Sequence, residues 1–289
     1  MDAVPFRESV AILGPGLLGG SIALSLRRSC PAAQLRIAGF NPEEIARARA
    51  LRLAELITED PTEAVPGADV VVLCTPIDVM PVLARQIAPQ LGAETVVTDV
   101  GSVKRSLVME LTAIFGARYV GAHPMAGSER RGLAWAKPDL FDRAVCFLIP
   151  GPDKNFNARA SAFWSALGCR PAECTAEAHD EIVARVSHLP HLVAAALLVA
   201  AERSGENPLA FSGPGLRDTT RLASGPPDLW RGILGHNRDA VRRALSDFRH
   251  ELERVEALLA RGRENELSEF LATAANLREQ LLPGAGKID

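Results

Sequence analysis

An apolar run over residues 9–13 (S-V-A-I-L) passes directly into Gly14, Gly16 and Gly19 at G-x-G-x-x-G spacing, and residues 22–28 continue as a helix. The short, partly β-branched run reads as a strand buried on both faces. The first glycine permits a tight turn, the second lets backbone approach a pyrophosphate, and the third lets helix and strand pack closely. The helix N-terminus then faces the anion. Glycine spacing alone says little. Between a buried strand and a helix near the start of a chain, it points to a dinucleotide-binding unit.

The alternation continues. Residues 35–40, 69–74 and 95–100 read as strands, and residues 43–56, 79–91 and those after Lys104 as helices. This rhythm predicts an α/β fold with a parallel, doubly wound sheet, whose ligands lie outside the carboxyl ends of the strands. Thr75, Pro76, Ser102 and His123 fall at such ends. Ser102 suits a helix N-cap or a hydrogen-bond partner of His123. After the second strand, where a carboxylate for the ribose hydroxyls is usual, stands Asn41. Asparagine bonds a ribose without repelling a 2′-phosphate, and no arginine follows at once to attract one. The reading leans to NAD, with NADP possible. Residues 144–149 read as a further strand, 156–167 as a helix and 169–174 as a short edge strand. From Ala176 the pattern is helical to the end, which divides the chain into a dinucleotide-binding domain, 1–175, and a helical domain, 176–289.

The chemistry centres on residues 118–132, R-Y-V-G-A-H-P-M-A-G-S-E-R-R-G. Pro124 fixes its own φ and biases His123 towards extended geometry, so a strand end holds an imidazole against a cleft. Ser128, Glu129, Arg130 and Arg131 crowd polar groups just beyond. Residues 179–201 read as one helix interrupted at Pro190, which cannot donate back to Val186. His188 and His191, three apart, share a face and read as polar lining of a cleft. No third ligand stands at metal spacing, so no metal is expected. The apolar stretch 189–201 is too short to span a bilayer and reads as a buried helix. A glycine-rich loop at 212–224 opens into a helix that Asp218 or Thr219 would cap. Arg217 and Arg221 are four apart; Arg221, with Asp218 one turn away, suits a bidentate grip on a carboxylate. Trp230 starts another helix. Residues 237–261 and 264–282 read as long amphipathic helices with apolar stripes wider than a small domain needs, which predicts a homodimer through the C-terminal helices.

Composition closes off other classes. A net charge of −3 with no basic run argues against a nucleic-acid binder. Five scattered cysteines form neither a metal set nor a secreted framework and read as free thiols in a reducing compartment. The first residues lack the basic-then-apolar pattern of a secretory signal, so the expectation is a cytoplasmic protein, off the membrane, acting on a small molecule. The last residues, 283–289, are expected to fray.

Together these motifs resemble the prephenate/arogenate dehydrogenases. The matches are G-P-G-L-L-G-G-S (14–21), D-V-G-S-V-K (99–104), H-P-M-A-G-S-E (123–129), S-H-L-P-H (187–191), R-D-T-T-R (217–221) and D-L-W-R (228–231), in the family's order. The resemblance implies a Rossmann domain with Leu17 and Leu18 in the cofactor loop, followed by a helical dimerisation domain. It implies oxidative decarboxylation of a cyclohexadienyl ring in tyrosine biosynthesis. His123 would be the base that takes the 4-hydroxyl proton, available as neutral imidazole because histidine ordinarily titrates near roughly 6.5. Ser102 would orient it, Arg221 would bind carboxylate, and His191 and His188 would bind the side chain. Glu129 would stand at the cleft mouth, paired with arginine when the cleft is empty, and Trp230 near the substrate. Asn41, where many members carry Asp, departs from the pattern. With the chain read to Asp289, none of the regulatory or mutase domains fused to some relatives is expected. Competing readings are a β-hydroxyacid dehydrogenase or imine reductase, or an NAD(P)-sensing module without turnover; a strand-end histidine speaks against the first two, and the third would leave His123, Ser102 and Arg221 idle.

Overall fold

The computed structural model describes residues 8–203 and 207–281, so the tail expected to fray lies outside the described residues. Two compact units divide between Ala240 and Val241. The chain changes from alternating to purely helical character earlier, between β8 (Arg170–Glu173) and α7 (Ala176–Val183).

Unit one is built on β1 (Ser9–Leu13), β2 (Gln34–Ala38), β3 (Leu56–Thr58), β4 (Val70–Leu73) and β5 (Val96–Asp99). They form an all-parallel sheet in the order β3-β2-β1-β4-β5. Both faces are covered, so neighbouring residues of one strand serve different cores. Val10, Ile12, Leu35, Ile37, Val70 and Val72 pack with α1 (Leu17–Ser29) and α6 (Lys154–Ala166). Ala11, Leu13, Val71 and Leu73 pack with α4 (Met80–Ile87) and α5 (Arg105–Phe115). That double burial is why the strands read as unbroken apolar runs.

β6 (Gly121–Pro124) continues this order, because Val120 donates to the Val97 carbonyl (2.9 Å) and Tyr119 bridges Val97 in parallel. β6 then pairs antiparallel with β7 (Val145–Ile149), placing His123 opposite Phe147, and β7 runs parallel to β8. The parallel expectation thus holds for the cofactor half, while the sheet carrying His123 is mixed.

Three local expectations change. The helix foreseen over 43–56 is α2 (Pro42–Ala50); a turn follows, and β3 begins only at Leu56. Arg52 takes a left-handed φ of 50°, which ends the helix and turns the chain into a three-residue edge strand. The helix foreseen over 79–91 shrinks to α4 flanked by single 3₁₀ turns, with Pro81 in its first turn and Pro89 just past its end. In the loop at 212–224, α9 (Pro214–Thr220) begins with Gly213 as N-cap and proline in its first turn. Asp218 and Thr219 therefore lie inside the helix, with Thr219 Oγ1 turned back onto the Gly215 carbonyl (2.8 Å). α3 (Pro61–Ala64) is a single turn.

From α7 the chain runs helical through a π turn at Ala184–His188 into α8 (Leu189–Glu202), and α10 (Pro227–His236) follows α9. Pro190, which has no N–H to return to Val186, produces this widened turn rather than a stop. The stretch Ala176–Glu202 is by length and composition alone sufficient to cross a bilayer, yet His179, Asp180, His188 and His191 are buried. The expectation of a buried α8 is corrected: only His191 and Ala194 are buried, and Val199 is 57% exposed. Its apolar composition suits a surface covered by another chain as well as it suits a core.

Unit two holds the later part of α11 (Arg238–Ala260) and α12 (Glu264–Gln280), separated by a turn with Gly262 at φ +61°. Leu252 and Leu259, one heptad apart on α11, are both exposed, as are Leu271 and Leu277 on α12.

Candidate active site

The cofactor cradle follows from the first β-α turn. Gly14 has φ +110°, and a Cβ there would stand 2.8 Å from the Cys74 carbonyl oxygen. A Cβ on Gly19 would collide with the Gly14 carbonyl. Gly16, the N-cap of α1, is different: a Cβ would meet nothing within 4 Å, so the space above it is open. No side chain caps α1, which leaves the amides of Leu17, Leu18 and Gly19 facing that space. Thr75 Oγ1, beside Pro76 at the end of β4, is buried without a hydrogen-bond partner. Asn41 caps α2, its Oδ1 accepting from the amides of Glu43 (2.9 Å) and Glu44 (3.3 Å). A backbone cradle, a free helix N-terminus and an orphaned hydroxyl fit a dinucleotide.

His123 closes β6 at 8% exposure. Its Nδ1 lies 2.8 Å from His179 Nε2, and His179 Nδ1 lies 2.7 Å from Asp180 Oδ1. Asp180 accepts from the amides of Lys104 (2.8 Å) and Arg105 (3.0 Å). The N-terminus of α5 is thus capped by a residue 76 positions away, not by Ser102. Nor does Ser102 bond to His123; among the described residues its hydroxyl takes no partner. Asn237 Nδ2 reaches both the Asp180 carbonyl (2.8 Å) and His188 Nδ1 (3.3 Å), tying α10 to this group. Burial is the main force holding the His123 imidazole well below its ordinary pKa, aided by His179, Lys104 and His188. The ring is therefore neutral at neutral pH.

Beneath lies a second buried group. Lys104 Nζ and Asp99 Oδ1 are 2.5 Å apart, and both side chains are fully buried. Asp99 also accepts from the Gly101 amide (2.6 Å), the Tyr119 hydroxyl (2.7 Å) and the Ala122 amide (3.1 Å). With four donors on its two oxygens the buried Asp99 carboxylate is tolerable, and the pair fixes the 100–104 loop against the strand that carries His123.

Around α8, His191 stacks on Trp230 (3.6 Å, 11° between planes), and His188 meets the same indole edge-on at 6.1 Å. Burial lowers His188 to about 4 and lowers His191 as well. Arg221 Nη1 donates to Glu129 Oε2 at 2.9 Å, the pair expected for an empty cleft. Ser128 makes only a local turn, accepting from the Arg130 amide, and Asp218 is exposed without a bonded partner among the described residues. Sequence reasoning singled out His123, Arg221, Glu129, His188, His191 and Trp230. It missed His179, Asp180, Asn237, Asp99 and Lys104, of which only the D-V-G-S-V-K motif gave a trace. No group of three or more metal-ligating side chains occurs among the described residues.

The chain is similar to known proteins along most of its length. Residues 22–171 match the family model "Prephenate dehydrogenase, nucleotide-binding domain", and residues 175–273 match "Prephenate dehydrogenase, dimerization domain". The prephenate dehydrogenase of Bacillus subtilis (strain 168) is 31% identical over 95% of this chain and 76% of its own length. The cyclohexadienyl dehydrogenase of Zymomonas mobilis is 33% identical over 88% of this chain and 89% of its own. The crystal structure of the Aquifex aeolicus prephenate dehydrogenase, solved with hydroxyphenyl propionate and NAD+, superposes with a TM-score of 0.90 at 32% identity, covering 97% of this chain and all of that one.

Proposed function

The chain belongs to the prephenate dehydrogenase family, and we propose that His123 is the general base of its reaction. It is an NAD(P)-dependent oxidoreductase of tyrosine biosynthesis, converting prephenate to 4-hydroxyphenylpyruvate or arogenate to tyrosine with loss of carbon dioxide. Oxidised nicotinamide supplies the hydride acceptor for the ring carbon that bears the 4-hydroxyl.

The protein's own work is proton handling and anchoring. The neutral imidazole of His123 takes the hydroxyl proton as the carbon–oxygen double bond forms. The ring carboxylate then departs as carbon dioxide. Its electron pair passes through the ring to that oxygen, which recovers the proton from His123 as the phenol. No proton is gained or lost overall, so one base poised near a single oxygen is sufficient. Arg221 exchanges Glu129 for a substrate carboxylate, a charge-for-charge swap. His191 and His188, set by Trp230 and Asn237, line the side-chain pocket, and Ser102 has its hydroxyl free for the ligand. Asn41, its oxygen engaged as the cap of α2, offers the ribose end its amide alone and no carboxylate to repel a 2′-phosphate, which supports use of both NAD and NADP.

A second copy of the chain is the natural cover for the exposed apolar side of α8 and for the leucines of α11 and α12. The expected species in light scattering is a dimer.

The observation that carries the reading is the placement of His123: buried, held neutral, and anchored through one nitrogen so that the other is free. The test is direct. With NAD+ or NADP+ present, prephenate and then arogenate are added and reduced cofactor is followed by absorbance. Formation of reduced cofactor with release of carbon dioxide is expected for at least one substrate; none with either would overturn the reading.

A further inference from the structure

Behind His123 stand two groups that the reaction as described leaves without a role. We propose that His179 and Asp180 are positioning residues that fix the tautomer of His123 and spread the positive charge it acquires in turnover. The proposal rests on His123 being the base.

Asp180 is the fixed end of the row. Its oxygens accept the amides of Lys104 and Arg105 at the start of α5. An anion is favoured there by the helix dipole, and a carboxylate is acceptor-only. His179 Nδ1, 2.7 Å from Asp180 Oδ1, must therefore carry a hydrogen. His179 is fully buried, which holds its ring neutral, so its Nε2 is a bare acceptor. His123 Nδ1 faces that nitrogen at 2.8 Å and must be the donor. One consequence remains: His123 Nε2 has no hydrogen and presents its lone pair. The three-membered chain permits no other arrangement of its hydrogens, provided Asp180 is ionised and both rings are neutral.

The same chain answers a problem of charge. When His123 takes a proton it becomes an imidazolium in a buried place, opposed first by burial and then by His179, Lys104 and His188 wherever they carry charge. Asp99 offsets Lys104 by direct pairing. Phe147, which meets His179 edge-on at 5.3 Å, brings no charge. The compensating carboxylate is Asp180, one imidazole away. As His123 gains its proton, its Nδ1 hydrogen shifts towards His179 Nε2 and the His179 Nδ1 hydrogen towards Asp180. No bond to carbon changes and no further reactant is required.

His179→Gln and His179→Leu separate this role from simple packing. Gln offers His123 a carbonyl acceptor but cannot pass a hydrogen; Leu offers neither. Expected for Leu is a loss in kcat of roughly ten- to a hundredfold, within the range typical of acid–base assistance. Its KM for substrate and its NAD affinity stay near the parent's. Because a neutral His179 exerts no repulsion and its loss deprives the His123 Nδ1 hydrogen of an acceptor, the acid limb of the kcat–pH profile moves to lower pH. Gln should recover part of the loss. A Leu variant with parental kcat and an unmoved acid limb would overturn the proposal, as would a loss confined to KM. Should Leu fail to fold, ¹⁵N NMR of histidine-labelled parent enzyme decides instead: a hydrogen on His123 Nδ1 supports the relay, and a hydrogen on Nε2 refutes it. If His123→Asn also keeps full activity, the base reading itself fails. If only the His179 variants are silent, the relay alone fails.

Discussion

Two histidines in this chain stand in the middle of three-membered hydrogen-bonded rows. His179 links His123 to Asp180, with 2.8 and 2.7 Å separations. His236 links Ser106 Oγ to Asp78 Oδ1, with 3.0 and 2.7 Å separations. Distances barely distinguish them. Solvent does: the side chains of His179 and Asp180 are 0% and 6% exposed, those of His236 and Asp78 28% and 61%. In the outer row water competes for every donor and acceptor, so the ring nitrogens can exchange roles at little cost. In the inner row the backbone amides of α5 pin the carboxylate, burial pins the ring charge, and one pattern of hydrogens survives. A serine, a histidine and an aspartate at bonding distance do not by themselves make a site; exclusion of water sets the inner row apart.

The sharpest way to break this contrast is at its inner end. His123→Asn removes the only nitrogen that the inner row presents to a ligand. We expect kcat to fall by about 10² to 10⁴, the range for loss of a positioned base. NAD binding, followed by fluorescence titration, should persist because the Gly14–Gly19 cradle is untouched. A variant turning over at near-parental rate would place the base elsewhere.

Arg221→Gln is the next largest effect. A charge-assisted bond contributes about 1.5–3 kcal/mol. Because Arg221 is 61% exposed in its pair with Glu129, the lower end applies, which is a rise in KM of about tenfold. The change should fall on KM rather than kcat, since the carboxylate is held alike before and during the reaction. An unchanged KM would move the anion site to another arginine.

The contrast between the two rows also marks what the sequence discloses. The cradle was legible because its glycines work within one turn of chain, where spacing and geometry are the same information. His123 was legible because Pro124 and the apolar run before it set local backbone direction. His179 was not: its partner lies 56 residues away, and on α7 it reads as one polar residue at the start of a helix. Ser102 was assigned a cap on local grounds, yet the real cap comes from Asp180, across the fold. β3 escaped notice because three residues at a sheet edge carry no period. Local chemistry is written in the sequence, and the long-range pairing of polar groups becomes visible only once the chain is folded.

Acid should test the burial of the inner imidazoles without any mutation. His123, His179, His188 and His191 all have lowered values, and His188 reaches about 4. Between that value and about 6.5 the unfolded chain binds a proton that folded His188 refuses, so stability rises with pH across this window and levels off above it. Each such proton contributes a slope of up to about 1.4 kcal/mol per pH unit. Urea midpoints taken from pH 7 down to pH 4.5 should fall steadily. A flat profile would mean that the inner imidazoles accept protons as readily as free ones.

The outer row supplies the smallest effect and the control for all the others. His236→Gln keeps a side chain able to reach both Ser106 and Asp78 and deletes only the ring. Exposed pairs of this kind contribute about 0–1 kcal/mol, so thermal stability should shift by no more than a few degrees. Among the described residues no hydrogen bond joins the side chains of the outer row to His123, His188, His191 or Arg221, so kcat, KM and the acid limb should match the parent. A large kinetic loss here would mean that α10, which carries both His236 and Trp230, transmits the position of the outer row to the substrate pocket. The two rows would then be one system, and their difference in exposure would no longer explain their difference in role.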